Sequence, residues 1–209
     1  LGVRDLPFSE IQSYFPWHCT FLNDANAGAF AEGIGSNLPS SFYYLSLSNT
    51  VGGAIFHDGN LLPGDAFRCG EAGHMTLIPD GKPCYCGKTG CVDAYCSARL
   101  LSDLSGGRLE DFFLGLQKNN REYRSVWDTY LKHLAVVINN LHMILDYDIV
   151  LGGYVGSFLT PWLDTIRRLV AERNTFEDDG SFVKLCTYQT GAAAYGAAMD
   201  VMEEFLRTV

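Results

Sequence analysis

Apolar positions along this chain follow two periods, and the switches between them predict its elements. Phe42–Leu47 and Val51–Phe56 are apolar, β-prone runs separated by three polar residues. They predict consecutive strands, with the pair Asp58-Gly59 turning the chain into a third short strand. From Tyr123 to Leu145 apolar residues instead recur at 127, 130, 131, 134, 137, 138, 141, 144 and 145. That stripe has helical spacing and predicts one long amphipathic helix. Tyr147–Leu151 reads as a strand closed by Gly152-Gly153, Pro161 and Asn174 bracket a helix, Phe182–Cys186 is a strand, and Gly191–Leu206 a closing helix. Val92–Leu104 and Leu109–Gln117 predict two further helices. Upstream, Trp17–Leu22 is apolar enough to predict a short buried strand. A helix over Ala25–Gly33 follows it, because Asn23 and Asp24 can accept hydrogen bonds from free first-turn amides. Three strands followed by alternating helix and strand predict an α/β domain of ribonuclease-H-like type.

Composition narrows the function classes. A chain of 209 residues can bury a sizeable core as one large domain or two small ones. No apolar run approaches the ~20 residues that span a bilayer. The opening Leu-Gly-Val-Arg-Asp-Leu-Pro lacks the basic and apolar regions of a signal peptide. Seven cysteines, an odd number, favour a reducing cytoplasm over a disulfide scaffold. The net charge of -9 argues against a polyanion partner for this segment, since nucleic-acid binding relies on clustered Lys and Arg.

The strongest chemical signal is Glu71-Ala-Gly-His74 followed by Cys84-Tyr-Cys86-Gly-Lys-Thr-Gly-Cys91. Structural zinc takes four nitrogen and sulfur ligands in a tetrahedron, and three Cys with one His is a usual set. The C-x-C-x4-C spacing curls the chain around one centre, so His74, Cys84, Cys86 and Cys91 are the expected zinc ligands. Cys19, Cys69, Cys96 and Cys186 remain as free thiols.

This run resembles the signature of the ROK family, which joins bacterial sugar kinases with sugar-responsive transcriptional repressors. Other segments resemble the family in the same order: Asn23-Asp-Ala-Asn-Ala27, Val51-Gly52-Gly53 with His57-Asp58-Gly59, Ile149-Val-Leu-Gly152-Gly153, and Gly191-Ala-Ala193. The resemblance implies the actin-like ATPase fold, two ribonuclease-H-like domains around a cleft. Residues 1–35 would be the last strand and helix of the first domain. Residues 36–209 would be the second domain, carrying the zinc loop at 74–91. It further implies Asp24 as the general base that accepts the proton of a sugar hydroxyl during phosphoryl transfer. Asn23, Glu71 and His74 would contact the sugar, and His74 would serve zinc as well. Asp93 stands where the family usually carries Glu, so it either reaches the sugar or caps the helix after Cys91. Thr50, Gly52, Gly53, Gly152 and Gly153 are the weaker nucleotide-side candidates.

Two departures pull against catalysis. Ser48 and Thr50 stand where the kinases carry glycines that let phosphate approach the backbone. A D-x-G-G-T-type phosphate hairpin is missing, which reads as a fragment of a longer protein. The favoured expectation is therefore a cytoplasmic, dimeric, sugar-sensing domain of a ROK-type transcriptional regulator with structural zinc. DNA would be contacted only through a missing N-terminal domain. The alternative is an ATP- and magnesium-dependent hexose or N-acetylhexosamine kinase.

Overall fold

The computed structural model describes residues 6–208. Residues 1–5, read above for a targeting signal, lie outside the described residues. In chain order the elements are α1 (Phe8–Gln12), α2 (Asp24–Gly35), β1 (Phe42–Leu47), β2 (Val51–His57), β3 (Asn60–Leu61), α3 (Asp93–Cys96), α4 (Ala98–Ser102), α5 (Leu109–Gln117), α6 (Arg121–Leu145), β4 (Asp148–Gly152), α7 (Gly153–Gly156), α8 (Leu163–Ala171), β5 (Val183–Leu185) and α9 (Ala192–Thr208). The strands form one sheet in the order β3-β2-β1-β4-β5. β1, β2 and β3 meander antiparallel, while β4 lies parallel to β1 and β5 parallel to β4.

β1 is buried along its whole length because helices cover both faces of the sheet. Alternation divides its residues between two cores, as a period of two requires. Tyr43, Leu45 and Leu47 join Val51, Ile149, Leu151 and the stripe of α6. Phe42 and Tyr44 join Ala54, Phe56, Val150 and Ala29 of α2 on the other face. Glu32 ties that second layer together. It is fully buried in α2, and its Oε1 accepts the backbone N–H of Tyr188 at 2.9 Å, just ahead of α9.

The α6 stripe is buried as its period requires, from Trp127 through Leu141, except that Ile144 is 76% exposed at the last turn. The helix begins two residues before the predicted start because Asn120 caps it, its Oδ1 accepting from Glu122 and Tyr123 N–H at 3.0 and 3.2 Å. Such a cap contributes about 1 kcal/mol. The Asp58-Gly59 turn forms as expected, with φ of 46° and 79°, the left-handed pair that a two-residue hairpin needs.

Two expectations are corrected. Trp17–Leu22 forms no strand and pairs with no strand among the described residues. Trp17 is 74% exposed, and Phe21 stacks on Phe8 of α1 rather than entering either core. An apolar, β-prone hexapeptide stays irregular without a neighbouring ladder to satisfy its amides. The helix expected over Val92–Leu104 breaks at Ser97, which is extended (ψ 153°), and becomes α3 and α4. The N–H of Ala98 leaves the helical ladder and donates to Ser48 O at 2.7 Å. That bond, which propensity does not register, anchors the β1–β2 turn to α4.

Candidate functional site

The N-terminus of α2 carries Asn23 and Asp24. Asn23 Oδ1 accepts the N–H groups of Ala25 and Asn26 at 2.9 and 3.2 Å, so this side chain is occupied as a helix cap. Asp24 opens into a cleft of about 220 Å³ lined also by Tyr44, Ser48, Thr50, Gly153 and Thr190. Five segments thus line one cleft, in which Asp24 is the sole carboxylate among the lining residues and accepts the Ala25 N–H at 2.9 Å: the start of α2, β1, the β1–β2 turn, the β4–α7 turn and the turn before α9.

The β4–α7 turn depends on glycine. Gly153 has φ +75°, and a Cβ there would lie 2.7 Å from Leu47 N and 2.7 Å from Ser48 Oγ. Gly153→Ala adds a left-handed backbone penalty to a contact with rigid backbone, together at least ~2 kcal/mol. For a chain of this size a thermal melt should drop by about 5 °C or more. An unchanged melting temperature would show that this turn is not pinned. The other glycines named from sequence do not line the cleft. Gly53 and Gly152 are packing positions, where a Cβ would collide with the hydroxyls of Tyr43 and Tyr44 at 1.8 and 2.1 Å. Gly52 faces Ala25, whose Cβ would be 3.3 Å from a Cβ at 52.

The cysteine loop is built from short reversals. Cys84 N–H donates to Lys88 O at 2.8 Å, Gly90 N–H to Lys82 O at 2.8 Å, and Leu77 and Ile78 N–H both to Gly90 O. Gly90 has φ +79°, and a Cβ would run into Ile78 O at 1.9 Å, so this reversal admits glycine only. One ligand atom each from His74, Cys84, Cys86 and Cys91 lies within 4.8 Å of the others. Cys86 Sγ and Cys91 Sγ are 3.8 Å apart. A tetrahedron with metal–sulfur bonds of ~2.3 Å has edges of about 3.8 Å, whereas a disulfide needs ~2.05 Å. The donor set therefore fits zinc. Burial pushes the Cys91 thiol up to about 12 and raises Cys84, while the Lys88 backbone amide lowers Cys86.

The remaining sequence-named residues gather around Val51 and Gly52. Asp93, 6% exposed, accepts the Val51 N–H at 2.6 Å through Oδ1. Burial raises its carboxyl, with that amide, His74 and Arg99 acting in the opposite sense. Val51 O lies where a Cβ on Gly73 would sit, 1.9 Å away, so the short 3₁₀ turn Ala72–His74 packs directly on the start of β2. Glu71 precedes that turn, His74 ends it, and both are exposed. Asp93 therefore acts here on backbone: it fixes the start of β2 at Val51, against which the turn carrying His74 packs.

Sequence reasoning passed over Tyr85, whose hydroxyl lies 3.2 Å from His74 Nε2. It also passed over Gln189 and Thr190 in the cleft wall. Their position just ahead of Gly191 was the available signal.

The ROK family pattern matches residues 1–204. The chain belongs to the ROK family. N-acetylmannosamine kinase of Salmonella typhi is 30% identical over 189 residues, covering 85% of this chain and 62% of that protein. The kinase of the same name from Vibrio cholerae serotype O1 is 29% identical over 161 residues, covering 74% and 56%. The chain thus spans about three-fifths of the length of these relatives. A ROK glucokinase from Streptomyces griseus, solved with glucose and AMPPNP, superimposes with a TM-score of 0.78 at 21% identity, over 91% of this chain and 70% of that one. A ROK transcriptional regulator homologous to the Escherichia coli MLC protein gives 0.67 at 22% identity, over 84% and 50%. The fold is that of the actin-like ATPases. Among the described residues no helix is long and apolar enough to cross a membrane.

Proposed function

We propose that this chain is the sugar- and nucleotide-facing part of an ATP-dependent kinase acting on an N-acetylhexosamine or hexose. The observation that carries the reading is a cleft walled by five segments with Asp24 as its carboxylate, in a chain that resembles N-acetylmannosamine kinases. These relatives favour the kinase over the regulator expected from Ser48 and Thr50. In this reading Asp24 accepts the proton of the attacking hydroxyl, while Asn23, Glu71 and His74 hold the sugar's other hydroxyls. ATP with magnesium supplies the phosphoryl group on the side of Thr50 and Gly153. Zinc on His74, Cys84, Cys86 and Cys91 serves as a structural clamp that presents Glu71 and His74. The division into residues 1–35 and 36–209 belongs to the same proposal. A coupled assay of the intact protein with ATP, Mg²⁺ and a panel led by N-acetylmannosamine, N-acetylglucosamine and glucose should show turnover with at least one sugar. No turnover with any of them would reject the kinase reading.

A second reading is kept because Ser48 and Thr50 place side chains in the cleft wall, where kinases of the family carry glycine. There the same sugar site would sense rather than phosphorylate, in a dimeric regulator contacting DNA through another domain. Both readings share one expectation about the sugar. An ionised carboxylate accepts several hydroxyl hydrogen bonds at once, and hydrogen bonds to charged groups contribute ~1.5–3 kcal/mol. Glu71→Gln should thus weaken sugar binding about ten- to hundredfold by calorimetry. Unchanged affinity would remove Glu71 from the site.

A further inference from the structure

Outside the cleft and the cysteine loop, a second cluster of metal-ligating side chains lies at the other end of β4. His142, in the last turn of α6, is 7% exposed and stacks flat on Phe182 with ring centroids 3.6 Å apart. Its Nδ1 is 2.8 Å from the carbonyl oxygen of Tyr147. A carbonyl only accepts, so Nδ1 carries the proton and Nε2 of the neutral ring presents a lone pair. Facing it at 3.4 Å is Glu177 Oε2, a buried oxygen with no hydrogen-bond partner. With the ring neutral both atoms are acceptors, and either a second proton on the ring or a metal ion joins them; the Glu177 side chain is 37% exposed, so an ion can reach it from solvent. Asp146 supplies a third ligand: one atom from each of His142, Asp146 and Glu177 lies within 4.8 Å of the others.

The backbone holds these groups in place. Asp146 is the left-handed cap of α6 (φ 54°), and its N–H donates to His142 O at 2.7 Å. Asn174 Oδ1 accepts from both Phe176 and Glu177 N–H, at 2.7 and 2.9 Å, which fixes the loop that delivers Glu177.

We propose that His142 Nε2, Asp146 and Glu177 form a second metal site, taking a divalent first-row transition ion of the zinc type. A proton on Nε2 would pair His142 with Glu177 alone, whereas a metal ion would draw in the exposed Asp146 as well. A divalent ion matches the charge of both carboxylates. An imidazole whose far nitrogen donates to a backbone carbonyl has the orientation that metal-bound histidines adopt. One nitrogen with two carboxylates suits zinc, cobalt, nickel or manganese, whereas calcium and magnesium take all-oxygen shells. The ion would clip the loop between α8 and β5 to the end of α6, a full strand length from the Gly152-Gly153 turn.

The test is titration of the intact protein, cleared of loosely held metal on a chelating resin, with ZnCl₂ by calorimetry and with CoCl₂ by absorption. One saturable site beyond the cysteine cluster is expected, and its cobalt form should lack the intense sulfur-to-metal absorption of a thiolate site. Glu177→Gln and Asp146→Asn should each weaken that site at least tenfold, and His142→Gln should abolish it. His142 is packed against Phe182, so its variant risks unfolding. Asp146→Asn, at an exposed position, decides in that event. Absence of uptake beyond the cysteine cluster, or uptake unchanged in both carboxylate variants, would overturn the proposal.

Discussion

Asp24→Asn should lower the turnover of the intact protein by about 10²–10⁴-fold while leaving the fold intact, the range that loss of a general base produces. The expectation rests on position. Asp24 is the carboxylate of the 220 Å³ cleft among the residues that line it, and it sits on a rigid helix start whose cap is the neighbouring Asn23. Asn is nearly isosteric and keeps hydrogen-bonding capacity, so sugar affinity should move far less than turnover. A hydroxyl attacking phosphorus must shed its proton, and an amide cannot accept it. The comparison to make is kcat against KM for the sugar. A fall confined to kcat supports the base. Turnover within about threefold of wild type would show that another group takes the proton, and the assignment would fail. Because Asn23 Oδ1 is already engaged by two amides, Asn23→Ala should instead appear first as a loss of stability, of about 1 kcal/mol.

Much of this was legible in the sequence, and the particulars show why. The α6 stripe follows from periodicity, and β1 was legible as a strand from its short apolar, β-prone run, though its burial on both faces was not. The cysteine loop was legible because four ligands of two types at tight spacing admit few explanations. Trp17–Leu22 was misread because strand propensity describes a residue's fit to a sheet and cannot supply the sheet. The break at Ser97 was invisible for a similar reason: it is set by a bond from Ala98 to Ser48, fifty residues away in sequence. In the site, Asp93 was read as either sugar ligand or cap. The structure gives it a third task, the N–H of Val51, which no local pattern encodes. The glycines at 52, 53 and 152 looked like phosphate-facing positions, yet their neighbours are Ala25, Tyr43 and Tyr44. A glycine in sequence reports that something comes close without saying what.

Cys86→Ser is the second change expected to have a large effect. In the zinc reading three thiolates and one imidazole close the tip of the cysteine loop, while Met75, Leu77, Ile78 and the bond from Lys82 N–H to the Tyr95 hydroxyl hold its base. Cys86 itself is exposed, and the loop contributes only Cys84 and Cys91 to the buried apolar set. Apparent zinc affinities in small structural sites correspond to ~10–16 kcal/mol, and that binding energy acts as folding energy. A serine oxygen is a poor substitute for a soft thiolate. The variant should therefore lose stoichiometric zinc by elemental analysis, and amide exchange across residues 74–91 should accelerate by orders of magnitude. The sheet and α6 should keep their protection, because neither core depends on Cys86. Sugar binding should weaken with it, since Glu71 and His74 sit at the edge of the same loop and the 3₁₀ turn that Glu71 caps and His74 ends rests on Val51. Zinc retained at one per chain, or wild-type protein that carries none in reducing buffer and is equally stable, would refute the clamp. If zinc is lost while sugar affinity persists, the clamp stands as a metal site, but its role in presenting Glu71 and His74 does not.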